Sequence, residues 1–199
     1  RADLVGVSVV SGNAPVDRCL TNALVTMQCA GAGHVPVHRG AEKPLAREPR
    51  YAPHIHGDSG LEGPALPPVT LEPRPEHAVQ AIVDASRRVV AVGPYTNVAL
   101  ALQEDPGLAR RVAGISVMGG AWGPGNITAA AEFNVWADPE AAAVVFASGA
   151  NVVMASIDLT HQLLIDAARR ERVRALGTPL ARFGADLLDY FSQAYAQVY

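Results

Sequence analysis

Two amides and a carboxylate, Asn126, Glu132 and Asn134, fall on one polar stretch, with Gly125 ahead of the first and Phe133 between the other two. An asparagine side chain both donates and accepts, and a glutamate accepts through two oxygens, which suits the vicinal hydroxyls of a sugar. A plainer role competes at Asn126, because loop asparagines commonly close turns on their own backbone. Glu132 and Asn134 flank an aromatic and alternate as along an extended segment, which favours a ligand-facing role for both. Asp158 and His161 offer an acid/base pair at a strand end, but no serine or cysteine in a nucleophile elbow accompanies them. His34, His38, His54 and His77 lack metal-ligand spacing and read as loop or surface residues. Phe191, Tyr195 and Tyr199 repeat at helical spacing near the chain end, a stripe that more often marks core than a binding site.

The elements that must position these groups alternate between strand and helix. Residues 4–10 are β-branched and almost wholly apolar, which predicts a strand buried on both faces and ending at Ser11-Gly12-Asn13. A helix starts at Pro15 or Val16, carries Leu20, Ala23, Leu24, Met27 and Ala30 at helical spacing, and stops at the glycines of 31–33. A short strand follows at 35–38. Residues 39–75 hold eight prolines and four glycines without a sustained period. A loop this long inside a domain is usually functional, and the expectation is a lid over the active site. Beyond it come a helix at 76–88, a strand at 89–92, a helix at 96–104 and a strand at 114–118. A polar loop at 119–134 precedes a helix begun by Asp138 and Pro139 and running to residue 147. A strand at 151–156 and helices at 166–176 and 179–199, the latter capped by Thr178, complete the order.

Strands alternating with helices need crossover connections. The expected fold is therefore α/β, an open, mostly parallel, doubly wound sheet with helices on both faces, in a single domain over residues 1–199. Ligands in such sheets bind beyond the carboxyl ends of the strands. Those ends here deliver Ser11-Gly12-Asn13, Gly93-Pro94-Tyr95-Thr96-Asn97, Gly119-Gly120 and Asp158-Leu159-Thr160-His161.

Composition narrows the classes. The 199 residues are 49% hydrophobic and 18% charged, enough apolar material for one core. Sixteen cationic side chains against 19 acidic ones, without a Lys/Arg block, exclude a nucleic-acid surface. Arg110-Arg111 and Arg169-Arg170 read as solvated pairs. No apolar run approaches the roughly 20 residues of a membrane span and none resembles a signal peptide, so a soluble, cytoplasmic protein with no membrane partner is expected. Cys19 and Cys29 lie about 15 Å apart along one helix, too far for a disulfide. A dinucleotide-binding reading fails at the first turn, where Ser11-Gly12-Asn13-Ala14-Pro15 lacks the required glycine pattern.

Taken together, Val117-Met118-Gly119-Gly120-Ala121, Gly125-Asn126-Ile127-Thr128, Ala131-Glu132-Phe133-Asn134 and Asp138-Pro139-Glu140-Ala141-Ala142 resemble the central signature of the inosine–uridine-preferring nucleoside hydrolases. Val9-Val10-Ser11-Gly12-Asn13, Gly40-Ala41-Glu42-Lys43-Pro44-Leu45, His56-Gly57, Gly93-Pro94-Tyr95-Thr96-Asn97 and Asp158-Leu159-Thr160-His161 resemble that family's other blocks in the same order. The resemblance implies hydrolysis of the N-glycosidic bond of a ribonucleoside to ribose and free base, assisted by a calcium ion. It places Asn13 at the metal and its water and makes the backbone carbonyl of Val92 a calcium ligand. Asn126, Glu132 and Asn134 would bind the ribose hydroxyls and Met118 would line the sugar pocket. Phe133 would lie near the base, His56 would approach it as the long loop closes, and Tyr195 and Tyr199 would contact it from the last helix. The Asp158–His161 block is mainly structural in this family, and a homo-oligomer, dimer or tetramer, is implied.

The sequence also departs from the family. Ala129 stands in place of the usual proline, and Ser59 and Glu62 in place of the commonest aspartate and glycine. The family's aspartate cluster, source of most calcium ligands and of the base for the water, precedes the first strand, and its His-Asp pair follows the last helix. Neither falls within these residues, so the expectation is a domain incomplete at both ends and inactive by itself. The alternative is a catalytically inactive relative that binds a ribosyl ligand or a partner protein.

Overall fold

In the computed structural model, which describes residues 3–85 and 87–198, the chain runs β1 (Val7–Val9), α1 (Val16–Cys29), β2 (Val37–Arg39), α2 (Pro53–His56), α3 (Ala78–Ala85), β3 (Val89–Ala91), α4 (Thr96–Glu104) and α5 (Leu108–Arg111). It continues through β4 (Ile115–Met118), α6 (Phe133–Ala137), α7 (Pro139–Ala147), β5 (Val152–Ala155), α8 (Ile157–Thr160), α9 (Ala167–Arg174) and α10 (Pro179–Val198). Every named strand pair is parallel, as the crossovers require: β1 pairs with β2, and β4 lies between β3 and β5. The α/β, open and parallel architecture expected from the sequence is thus present, divided into a two-stranded and a three-stranded ladder. No described helix is long and apolar enough to cross a membrane.

The first strand is shorter than residues 4–10 and is not buried on both faces. Leu4 and Val5 are 58% and 64% exposed, and pairing begins where the Val7 amide meets the Pro36 carbonyl at 2.9 Å. Pro36 has no N–H to extend the ladder. α1 covers the face of this ladder that presents Val9 and Val37, through Leu24 and Met27, while α3 lies against β1 and β2. In the other ladder Ile115 and Val117 bury against Val98 and Leu102 of α4 and Ala141 and Val145 of α7. Val90 and Val153, in register with Ser116, are exposed.

α3 is shorter than residues 76–88, because the Arg87 carbonyl accepts the Ala113 amide at 2.7 Å and so commits the chain to the sheet. The 39–75 segment contains one helical turn, α2, started by Pro53 at a position where a missing N–H costs nothing. The segment is tied down along its length. Arg47 forms a forked pair with Glu140 of α7, the nearest contact at 2.8 Å, and the Ala52 amide donates to the Asn13 carbonyl at 2.9 Å. Asn22 of α1 donates to the Ser59 carbonyl at 2.8 Å. Arg170 is not a solvated cation as expected. It pairs with Asp189 at 2.7 Å, and Arg174 pairs with Asp186 and Asp189. α9 buries none of its residues, so these pairs hold it against α10.

Asn97 joins the two ladders. Its buried amide donates to Ser8 Oγ and to the Val9 carbonyl, both at 2.8 Å, and accepts from the Ala41 amide at 2.9 Å. A Cβ on Gly40 would sit 2.4 Å from this amide, which makes glycine obligatory there. Removing the amide strands several buried groups at once, each worth about 1–3 kcal/mol. Asn97→Ala should therefore lower the unfolding free energy by about 2–4 kcal/mol in urea denaturation, and an unchanged midpoint would contradict this clamp.

Candidate functional site

β4 ends at Met118, and its carbonyl is where the site is assembled. Tyr95, fully buried in the turn after β3, donates its hydroxyl to this carbonyl at 3.2 Å. The Asn134 side-chain amide donates to the same oxygen at 3.1 Å, to Met118 Sδ at 3.3 Å, and reaches the Val92 carbonyl at 3.5 Å. The two glycines after Met118 are there for different reasons. A Cβ on Gly119 would lie 2.2 Å from the Tyr95 hydroxyl oxygen, and Gly120 takes φ +72°, a region L side chains rarely adopt.

Glu132 is 2% exposed, and its Oε2 accepts from the Gly120 amide at 3.0 Å and the Val135 amide at 3.2 Å. Glu132 and Asn134 are therefore not part of an extended segment. Glu132 caps α6 and Asn134 lies in its first turn, because the carboxylate takes up an amide that would otherwise lack a partner at the helix start. Burial, reinforced by the nearby Glu132 charge, pushes the Tyr95 hydroxyl well above the ordinary tyrosine range and keeps it a donor. Asn126 accepts the Phe133 amide at 2.9 Å, so its side-chain oxygen closes its own loop on the backbone. Phe133 stands 6.1 Å from the Trp136 ring.

Asn13 lies exposed in the turn after β1. That turn abuts the β3 turn, since a Cβ on Gly12 would come 3.1 Å from Pro94, and it accepts the Ala52 amide just ahead of α2. His56 ends α2. Its ring lies 5.8 Å from Phe191 of α10, and Phe191 lies 4.6 Å from Tyr195. A cavity of about 210 Å³ opens between Ile55, His56, Leu61, Leu187, Tyr190 and Phe191. The last-helix stripe is thus an aromatic wall facing the loop and not a buried core, and Tyr199 lies outside the described residues. Burial, with the His54 charge adding, holds the His56 imidazole below its ordinary pKa.

The structure brings Val92, Met118, Asn126, Glu132, Phe133 and Asn134 into one network and His56 and Tyr195 into another, with the Asn13 turn beside Pro94 and bonded to the Ala52 amide. Asp158 belongs to neither as an acid. The amides of Trp122 and Gly123 donate to it at 2.8 and 3.0 Å and hold its carboxyl at about 2. It pins a loop, as the resemblance implies. Tyr95 was not singled out from the sequence. A tyrosine inside a Gly-Pro turn directly behind a strand was the available signal.

Calcium takes six to eight oxygens, carboxylates prominent among them. The Val92 carbonyl and the Asn13 side chain offer neutral oxygens, and no cluster of three or more His, Cys, Asp or Glu residues suited to a metal occurs among the described residues. These residues do not by themselves fit calcium.

Comparison with known proteins adds an independent line. The profile of the family described as inosine-uridine preferring nucleoside hydrolase matches residues 1–199. The pyrimidine-specific ribonucleoside hydrolase RihA of Citrobacter koseri is 45% identical over 195 residues, covering 95% of this chain and 62% of that protein. Its counterpart in Enterobacter sp. (strain 638) is 45% identical over 196 residues, 96% of this chain and 63% of that one. Among solved structures, a purine-preferring ribonucleoside hydrolase from Gardnerella vaginalis superposes with a TM-score of 0.94 at 31% identity, over 98% of this chain and 65% of that one. A plant nucleoside hydrolase gives a TM-score of 0.87 at 29% identity, over 99% and 65%. The chain therefore spans less than two thirds of the length of these relatives.

The His56 environment sets a pH dependence. With its folded pKa below the ordinary 6.5, the folded state binds fewer protons than the unfolded chain as pH drops through that value. Stability should rise with pH up to about 6.5 and level off above it on this group's account. His56→Gln should flatten that slope in melting curves taken between about pH 5 and 7, and an identical slope in the variant would contradict the burial.

Proposed function

This chain belongs to the inosine-uridine preferring nucleoside hydrolase family, and from that premise we propose that the whole protein cleaves the N-glycosidic bond of ribonucleosides to ribose and free base. The observation that carries this reading is the Asn134 amide, held against the Met118 and Val92 carbonyls beside a buried Glu132. Asn126, whose side chain holds the Phe133 amide, is assigned to the same ribose hydroxyls. Cleavage develops oxocarbenium character on the ribose, and a buried carboxylate fixed in direction by two backbone amides stabilises positive charge where it appears. Because one Glu132 oxygen is engaged by those amides, the other keeps a set orientation and loses little freedom on binding sugar.

The base end of the substrate is assigned to the His56, Phe191 and Tyr195 side. These rings and the cavity beside them offer π-faces and apolar walls to a planar heterocycle. The 45% identical relatives are named pyrimidine-specific, which favours uridine or cytidine over purine nucleosides. The 39–75 segment, carrying His56, is assigned as the lid, and its ties at Arg47, Ala52 and Ser59 are what must release for substrate to enter. Assembly into a dimer or tetramer is proposed from the family and is read by light scattering.

Calcium is the family expectation for the whole protein, with Val92 and Asn13 at its edge, and no step here is routed through it. Having no carboxylate cluster among the described residues, the 199-residue chain should show no micromolar calcium affinity in a calorimetric titration. A second reading, a ribosyl-binding relative without turnover, is favoured by one observation: Glu132 and Asp158 both direct carboxylate oxygens to backbone amides and neither is poised as a base for water. Ribose release from uridine, cytidine, inosine and adenosine separates the two. In the whole natural protein, Asn134→Ala and Glu132→Gln should each lower kcat roughly a hundred- to a thousandfold, far more than either lowers the folded fraction. Wild-type kinetics in both would end the ribose-site assignment.

A further inference from the structure

Asp138 stands between α6 and α7 with no exposed surface. One of its oxygens, Oδ1, accepts the Ala141 amide at 3.0 Å and caps α7. A serine or asparagine would cap as well, so the cap does not explain a fully buried carboxylate. The second oxygen does. Oδ2 accepts both the Thr96 hydroxyl, at 2.6 Å, and the Leu45 backbone amide, at 3.0 Å. Thr96 is buried at the start of α4, directly behind the turn that holds Val92 and Tyr95. Leu45 belongs to the root of the long loop, two residues before the Arg47–Glu140 pair. The helix ending at Asp138 carries Asn134 in its first turn and Glu132 as its cap.

We propose that Asp138 is a positioning residue whose second carboxylate oxygen sets the Asn134 amide in register with the Val92–Thr96 turn and anchors the root of the 39–75 loop at Leu45. The three segments it joins are far apart in sequence, and this one oxygen takes a donor from two of them. An anionic oxygen takes two donors without distortion, whereas an amide nitrogen in its place would face the Leu45 N–H donor to donor. Asp138→Asn therefore keeps the α7 cap and breaks this junction at Leu45, while Thr96→Val breaks it at the hydroxyl. The functional part of the proposal rests on the nucleoside hydrolase reading, while the geometric part does not.

The test uses three readouts on Asp138→Asn and Thr96→Val. The first is the Asn134 side-chain amide signal in proton–nitrogen spectra, assigned by its loss in Asn134→Asp. The second is hydrogen exchange at the Leu45 amide, and the third is kcat and KM for uridine in the whole natural protein. Asp138→Asn should shift or broaden the Asn134 signal, speed Leu45 exchange at least tenfold, and lower kcat at least tenfold with KM changed less than threefold. Thr96→Val should move the Asn134 signal, and Thr96→Ser should restore it. An Asn134 signal and Leu45 exchange like those of the wild type overturn the proposal, as does a kcat that falls only in proportion to the folded fraction. If Asp138→Asn does not fold, Thr96→Val decides: an unmoved Asn134 signal overturns the proposal. A wild type without hydrolysis overturns the hydrolase reading alone, because the spectral and exchange readouts still decide the role of Asp138.

Discussion

The Met118 carbonyl is the point on which the site depends. It ends the central strand of the three-stranded ladder, and it receives a hydroxyl from the β3 turn and an amide from α6. A strand-end carbonyl without a following strand residue to pair with needs donors from elsewhere, and a buried one needs them more. Meeting that need draws Tyr95 and Asn134 together. The glycines that follow leave room for the tyrosine ring and let the chain turn back so that Glu132 can hold the Gly120 amide.

The carboxylates that look most like catalytic acids act first as acceptors for backbone amides. Glu132 caps α6, Asp138 caps α7, and Asp158 pins the loop at Trp122 and Gly123. Each satisfies amide donors that a helix start or a tight turn leaves over, which is how buried or loop carboxylates are made tolerable in a low-dielectric setting. In Glu132 this structural duty and a sugar-binding role are compatible, because the amides engage one oxygen and orient the other. In Asp158 both oxygens are engaged, and the residue is structural.

Two further interactions decide how the halves of the site meet. Asn97 binds the first ladder and the root of the long loop to α4, which places the Asn13 turn beside the β3 turn. The Arg170 and Arg174 pairs hold α9, which has no fully buried residue, to α10, and α10 presents Phe191 and Tyr195 to His56. Charge holds the outer helix, and aromatic contact joins the inner helix to the loop.

Much of this was legible in the residue order. The alternation of β-branched runs with helical spacing, the Asp138-Pro139 cap and the Thr178 cap point to a parallel α/β fold, and the resemblance carried by residues 117–142 implies a ribosyl site. These signals are local: a cap, a turn or a helical face is settled by neighbours within a few residues. The length of β1 depended on a proline just ahead of the partner strand, and the cap role of Glu132 on where α6 begins. The junctions of Tyr95 with Met118, Asp138 with Leu45 and His56 with Phe191 were decided only by tertiary structure. Their partners lie on segments that approach one another only after the parallel crossovers have stacked the strand ends side by side, and no spacing along a single chain records which buried donor will find which acceptor.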